Sequence, residues 1–176
     1  HPYGEDDVPA PINAYGLSKW RGEQAVAESG ADALIVRTAW LYGSMGKNFV
    51  KSIMRAALAQ PSLRVVDDQR GSPTSVEDLA AVIKATAAGS VRGLLHVTNR
   101  GDCTWYEFAR AIVEEMNLDI SVLPISTAEA GRLAPRPPYS VLGQQRLARL
   151  GLVPRDWREA LNQFVKAERA SVTVHS

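Results

Sequence analysis

Tyr15 and Lys19 stand four residues apart in Asn13-Ala14-Tyr15-Gly16-Leu17-Ser18-Lys19, a segment that reads as the opening of a helix. Residues at i and i+4 share one helix face, so a phenol and an ammonium project into the same space. That pairing suits transfer of a proton to or from a ligand oxygen. A free tyrosine titrates near pH ~10, and a neighbouring cation favours its phenolate form. The spacing by itself is common. A buried tyrosine beside a surface lysine on an ordinary amphipathic helix would produce it too, so the chemistry rests on what surrounds the pair.

Those surroundings alternate between extended and helical patterns. The first helix closes near Gly30, and Ala33-Leu34-Ile35-Val36-Arg37-Thr38 reads as a buried strand. Phe49, Val50, Ile53, Met54, Ala57 and Leu58 then recur at helical spacing until Pro61. Leu63 to Val66 is a short extended run, followed by a turn-rich loop from Asp67 to Pro73. Thr74 with Glu77 predicts a capping box for a helix that turns Leu79, Ala80 and Ile83 inward. Leu94 to Val97 is another strand.

Thr104 with Glu107 repeats the capping-box pattern, opening a helix with Trp105, Phe108, Ala109, Ile112 and Met116 on one side. Ile120 to Ile125 is extended, and Arg132 to Tyr139 is proline-rich and irregular. A last helix starts at Asp156 and packs Trp157, Ala160, Leu161, Phe164 and Val165, with fraying expected from Ser171 to Ser176. Strands alternating with helices predict an α/β architecture.

Composition narrows the classes. The 176 residues are 45% hydrophobic and 22% charged, near the usual size of one domain with one substantial core. A formal net charge of +1 offers no electrostatic reason to expect nucleic acid or an anionic membrane as partner. Arg146 with Arg149 reads as a solvated helix face. No apolar run approaches the ~20 residues of a membrane span. The single Cys103 cannot form an internal disulfide and agrees with a reducing cytoplasm. Three dispersed histidines lack metal-ligand spacing, so no metal is expected. His96, in an apolar run, reads as a satisfied core residue, and nothing near Cys103 suggests an activated thiolate.

Several motifs, in order, carry a resemblance across almost the whole chain. They are Pro11-Ile12-Asn13-Ala14-Tyr15-Gly16-Leu17-Ser18-Lys19, Gly22-Glu23, Arg37-Thr38-Ala39-Trp40-Leu41-Tyr42-Gly43 and Asn48-Phe49-Val50. Asp68-Gln69-Arg70-Gly71-Ser72-Pro73-Thr74, Trp105-Tyr106-Glu107-Phe108-Ala109 and Ala134-Pro135-Arg136-Pro137 complete the series. With these residues the chain resembles the C-terminal portion of the dTDP-4-dehydrorhamnose reductase family, which are extended short-chain dehydrogenases/reductases.

The resemblance implies a fold: residues 1–176 as the last part of a Rossmann-like parallel sheet with a smaller α/β substrate-binding lobe. It also implies a gap. The family's glycine-rich turn, where a helix end cradles the cofactor pyrophosphate, is not in this sequence. Gly43-Ser44-Met45-Gly46-Lys47-Asn48 fits neither a dinucleotide fingerprint nor a P-loop. The sequence opens without methionine on a proline-rich stretch, and a family catalytic Ser/Thr would precede His1. The expectation is a fragment whose NADPH (or NADH) is bound mainly by an absent N-terminal half, and which is inactive alone. A sheet lacking its first strands would expose a long edge, inviting dimerisation or another covering chain.

In the full enzyme the resemblance makes Tyr15 the proton donor to the C4 oxygen of the sugar. Lys19 would bind the nicotinamide ribose and tune the tyrosine, so both residues also serve the cofactor. Trp40 would pack against the deoxysugar, with a core tryptophan as the plain alternative. Asn48 would donate to the diphosphate or simply cap the helix from Phe49. Gln69 belongs to a substrate loop, and Arg136 could pair bidentately with the diphosphate of the dTDP-sugar. Two other functions remain open at this point. One is an epimerase or dehydratase of the same superfamily. The other is a non-catalytic subunit resembling the regulatory beta subunit of methionine adenosyltransferase.

Overall fold

The computed structural model describes residues 1–87, 89 and 91–173. Helix α1 (Ala14–Glu28) leads into strands β1 (Leu34–Arg37) and β2 (Leu41–Tyr42), then α2 (Phe49–Ala59). Strands β3 (Ser62–Val66), β4 (Arg70–Gly71) and β5 (Thr74–Ser75) precede α3 (Val76–Ala87) and β6 (Gly93–His96). Then come β7 (Cys103–Thr104), α4 (Trp105–Glu115), β8 (Ser121–Ile125), α5 (Gln145–Arg149) and α6 (Trp157–Thr173).

The strands pair in four couples. β1 runs parallel to β6 from Leu34↔Gly93 to Arg37↔His96, and β3 parallel to β8 from Ser62↔Ser121 to Val66↔Ile125. β2 lies parallel to β5, whereas β4 meets β7 antiparallel through Arg70↔Thr104 and Gly71↔Cys103. Parallel strands need helical crossovers, and the intervening helices supply them. The expected α/β fold with parallel pairing is therefore what forms. Among the described residues β1 pairs only with β6, which leaves its other edge open.

Burial concentrates on one side. Val50, Ile53 and Ala57 of α2 pack with Leu63 and Val65 of β3, Phe108, Ile112 and Val113 of α4, and Trp157, Leu161 and Val165 of α6. The helical periodicity of α2, α4 and α6 thus faces inward as the sequence predicts, except that Leu58, at the C-terminal end of α2, is 73% exposed. A smaller cluster, Val82, Leu95, Val97 and Leu147, sits under the β1–β6 pair. The Thr104 hydroxyl accepts from Glu107 N while the Glu107 carboxylate accepts from Thr104 N, so the second capping box forms.

The first capping box does not. Thr74 is a buried β5 residue, and Ser75 Oγ accepts the Glu77 N–H instead. Pairing with β2 claims Thr74 for the sheet, and a local motif cannot register so distant a partner. Helix α3 is correspondingly rotated: Val82 and Thr86 are buried, whereas Ala80 and Ile83 are exposed. Arg146, expected as a solvated face, instead donates to the carbonyls of Leu94 and Arg92 and ties the short α5 to β6. The last helix is described through Thr173, and residues 174–176 of the segment expected to fray lie outside the described residues.

Candidate active site

Helix α1 begins because Asn13 caps it: extended at φ −147°, its Oδ1 accepts from Gly16 N at 2.8 Å. The amide's other end donates to the Pro135 carbonyl at 2.9 Å. One side chain therefore fixes both the start of the helix carrying Tyr15 and the loop carrying Arg136. Tyr15 is 72% exposed, and the Lys19 ammonium lies 5.4 Å from its ring centroid. The pair shares one open face, with a phenol and a cation free to meet ligand. Behind it, Glu23 receives a two-point contact from Arg37 at the end of β1, 2.6 and 2.8 Å.

A cleft of about 660 Å³ opens between α2, β3 and the segment after β8. Phe49, Trp105 and Gln69 line it, and Arg64, Arg132 and Arg136 bring three guanidiniums. Its size suits a nucleotide-sized ligand. Tyr15, Lys19, Trp40 and Asn48 are not among its lining residues, so the structure does not bring these candidates into the cleft that Gln69 and Arg136 line.

The other sequence candidates have identifiable local tasks. Asn48 caps α2, accepting from Lys51 N at 3.0 Å and donating to Gly43 O at 2.8 Å, so capping is the role its contacts show. Gln69 is buried, and its Nε2 donates to Thr127 Oγ1 at 2.8 Å. Trp40 adopts φ 47°, a left-handed backbone rare outside glycine, and stacks on Trp105. Arg136 is exposed on the cleft rim.

Arg70, from the same family-specific loop, braces the site. Its N–H donates to Pro138 O and its carbonyl accepts from Ser140 N, both at 2.8 Å. Its guanidinium reaches Asp102 at 2.6 Å and Glu107 at 3.1 Å, and these carboxylates hold its pKa above the ordinary value. Sequence reasoning missed Trp105, Phe49 and Arg132 as cleft residues, placing the two aromatics in the core. Their one available signal was position: Trp105 and Phe49 each open a helix immediately after its cap, where a side chain can face outward.

Residues 1–170 match the model of the RmlD substrate binding domain. The chain belongs to this family. It is 46% identical over 171 residues to the spore coat polysaccharide biosynthesis protein SpsK of Bacillus subtilis, covering 97% of this chain and 59% of that protein. A dTDP-4-dehydrorhamnose reductase of Mycobacterium tuberculosis H37Rv is 44% identical over 177 residues, covering 98% and 58%. The RmlD-type architecture recurs in solved structures. The Bacillus anthracis dTDP-4-dehydrorhamnose reductase in complex with NADP superposes with a TM-score of 0.87 at 44% identity, over 93% of this chain and 58% of that one. The Clostridium acetobutylicum enzyme gives 0.93 at 39%, over 96% and 60%. The chain thus spans somewhat over half the length of these relatives.

Two further groups complete the picture. Burial pushes the Cys103 thiol well above its usual range, keeping it protonated and unreactive. His96 is fully buried, a core residue as expected; its ring nitrogens miss strict hydrogen-bond geometry, while the backbones of Gly143 and Tyr3 lie close enough to favour its charged form against burial. Among the described residues no group of three His, Cys, Asp or Glu could hold a metal ion, and no helix is long and apolar enough to cross a membrane.

Proposed function

We propose that this chain is the substrate-binding portion of a reductase that converts dTDP-4-dehydro-L-rhamnose to dTDP-L-rhamnose. The observation that supports it is the Asn13 side chain, which ties the start of the helix carrying Tyr15 and Lys19 to the loop that carries Arg136 on the rim of a nucleotide-sized cleft. A sugar at that face and a diphosphate at Arg136 can belong to one molecule.

A nicotinamide cofactor, NADPH or NADH, supplies hydride to C4 of the sugar. As negative charge grows on the C4 oxygen, the Tyr15 hydroxyl donates its proton there, leaving an alcohol and a phenolate. Lys19 stabilises that phenolate by charge and holds the cofactor ribose hydroxyls. Trp40, with its faces engaged by neighbours, meets the sugar only with its rim. Arg136, assisted by a free N–H of Asn48, steadies the diphosphate, and Gln69 anchors the nucleotide end. The cofactor's pyrophosphate belongs to an upstream dinucleotide-binding half, which would add along the open edge of β1. A second copy of the chain at that edge is the competing occupant, and sedimentation of the joined protein distinguishes them.

The test joins the chain to such a half and supplies dTDP-4-dehydrorhamnose with NADPH. Net NADPH consumption with formation of dTDP-rhamnose is expected from the joined protein and none from the chain alone. Cofactor that is regenerated rather than consumed would make it an epimerase or dehydratase. Reduction that survives Tyr15→Phe undiminished would remove the proton-donor role.

A further inference from the structure

The proposed reaction leaves His96 unused, although its imidazole is fully buried. The strand decides where the ring points. Side chains alternate across a strand, and Leu95 and Val97 join the cluster of Val82 and Leu147. His96 therefore projects from the opposite face of β6. The parallel register sets Arg37 of β1 beside it on that face, as Val36 stands beside Leu95 on the other. The N-terminal segment closes over the ring. Its Glu5 carboxylate accepts from His96 N at 3.1 Å, and the backbones of Tyr3 and Gly143 lie against the imidazole. The charged groups facing the ring are thus Glu5 from that segment, Arg37 from β1 and, through Arg37, Glu23 from α1.

Arg37 is the link to the chemistry. Its guanidinium clasps the Glu23 carboxylate at 2.6 and 2.8 Å, with both side chains largely covered. Tyr15, Lys19 and Glu23 follow one another at intervals of four, so they form one stripe along α1. That helix buries no residue, so polar contacts must hold it, this clasp and the Asn13 cap among them. A neutral imidazole can sit beside the Arg37 guanidinium. An imidazolium there would set two like charges on one covered face. Burial already disfavours the charged ring, with Glu5 opposing and Arg37 reinforcing that preference.

We propose that His96 is a positioning residue: kept neutral between Glu5 and Arg37, it seats the Arg37–Glu23 clasp, and its protonation frees α1 with Tyr15 and Lys19. The fold then carries an acid-sensitive latch behind its acid–base pair. The latch is measurable without cofactor or turnover, so its failure would leave the reductase reading intact.

Amide hydrogen exchange tests this in the unsubstituted chain, in His96→Gln and in Arg37→Met. Measurement between about pH 7.5 and 5.5 stays above the ordinary carboxylate range, and His96→Gln controls for other groups that titrate there. In the unsubstituted protein the α1 protection factors should fall below pH ~6.5, by up to about tenfold per pH unit, because each opening admits one proton. His96→Gln should hold α1 protection level across the range. Arg37→Met should show low α1 protection already at the upper end, with no further fall. Flat α1 protection in the unsubstituted protein overturns the latch. So does a slope that survives in either variant, or full α1 protection in Arg37→Met. A fall shared by α1 and α4 at equal protection marks proton uptake on global unfolding and removes the latch as well. Should His96→Gln not fold, Arg37→Met decides alone.

Discussion

Helices α1 and α4 both start at the site, both are capped by a polar side chain, and both offer an aromatic in their first turn. There the likeness ends. α4 buries Phe108, Ala109, Ala111, Ile112 and Val113 in the main core, so Trp105 stands on a fixed support. α1 buries no residue at all; Gly16, Leu17, Trp20 and Glu23 are only half-covered. Its place is held by the Asn13 cap and the Arg37–Glu23 pair. Helices in proteins owe most of their stability to a packed face rather than to propensity. The α4 side of this domain is thus held by its own core, while α1 is held by polar contacts.

The sharpest break in that comparison is chemical. Tyr15→Phe in the joined protein should lower kcat by about 10²–10⁴-fold, as for loss of a general acid, and leave dTDP affinity on the α4 side untouched. Steady-state kinetics with calorimetry would show it. An equal fall in dTDP binding would mean the two sides are one site.

Gly71→Ala strikes the other side. Its Cβ would press into the Trp40 indole and must displace it, costing roughly 1–3 kcal/mol as overpacking does. A lowered denaturant midpoint with unchanged α1 amide exchange is the expected signature.

His96, on β6 opposite Arg37, tests the ground near α1. Burial pushes its imidazole below the ordinary value, with the Glu5 carboxylate opposing. Below the unfolded pKa of about 6.5 the unfolded chain takes up a proton that the folded one refuses. Stability should therefore decline as pH falls from 7 toward the folded pKa, by up to ~1.4 kcal/mol per pH unit, and then level off. Urea titrations of His96→Gln should lack that component.

The smallest effect is Asn13→Ala, about 1 kcal/mol for a lost cap. Hydrogen exchange should already be faster in α1 than in α4, and the substitution should widen the gap. Equal protection of the two helices in the unsubstituted chain would contradict the comparison itself.

Much of this was legible in the chain. Strand β1 and the inward faces of α2, α4 and α6 follow from short-range periodicity, and the Thr104/Glu107 box from a four-residue pattern. Thr74 was misread because its partner in β2 is remote, and the α3 face because two apolar stripes compete on it. The stack of Gly71, Trp40 and Trp105 joins three distant points in the sequence, so no window could show that Trp40 has no face to offer. Asn48 keeps two readings in the sequence, since a cap and a phosphate donor require the same residue at the same place.

Arg70 has a mechanical consequence. Its main chain is stitched to Pro138 and Ser140, and its guanidinium grips the carboxylates flanking the N-terminus of α4. Any displacement of the proline segment would therefore strain two ion pairs at the first turn of α4.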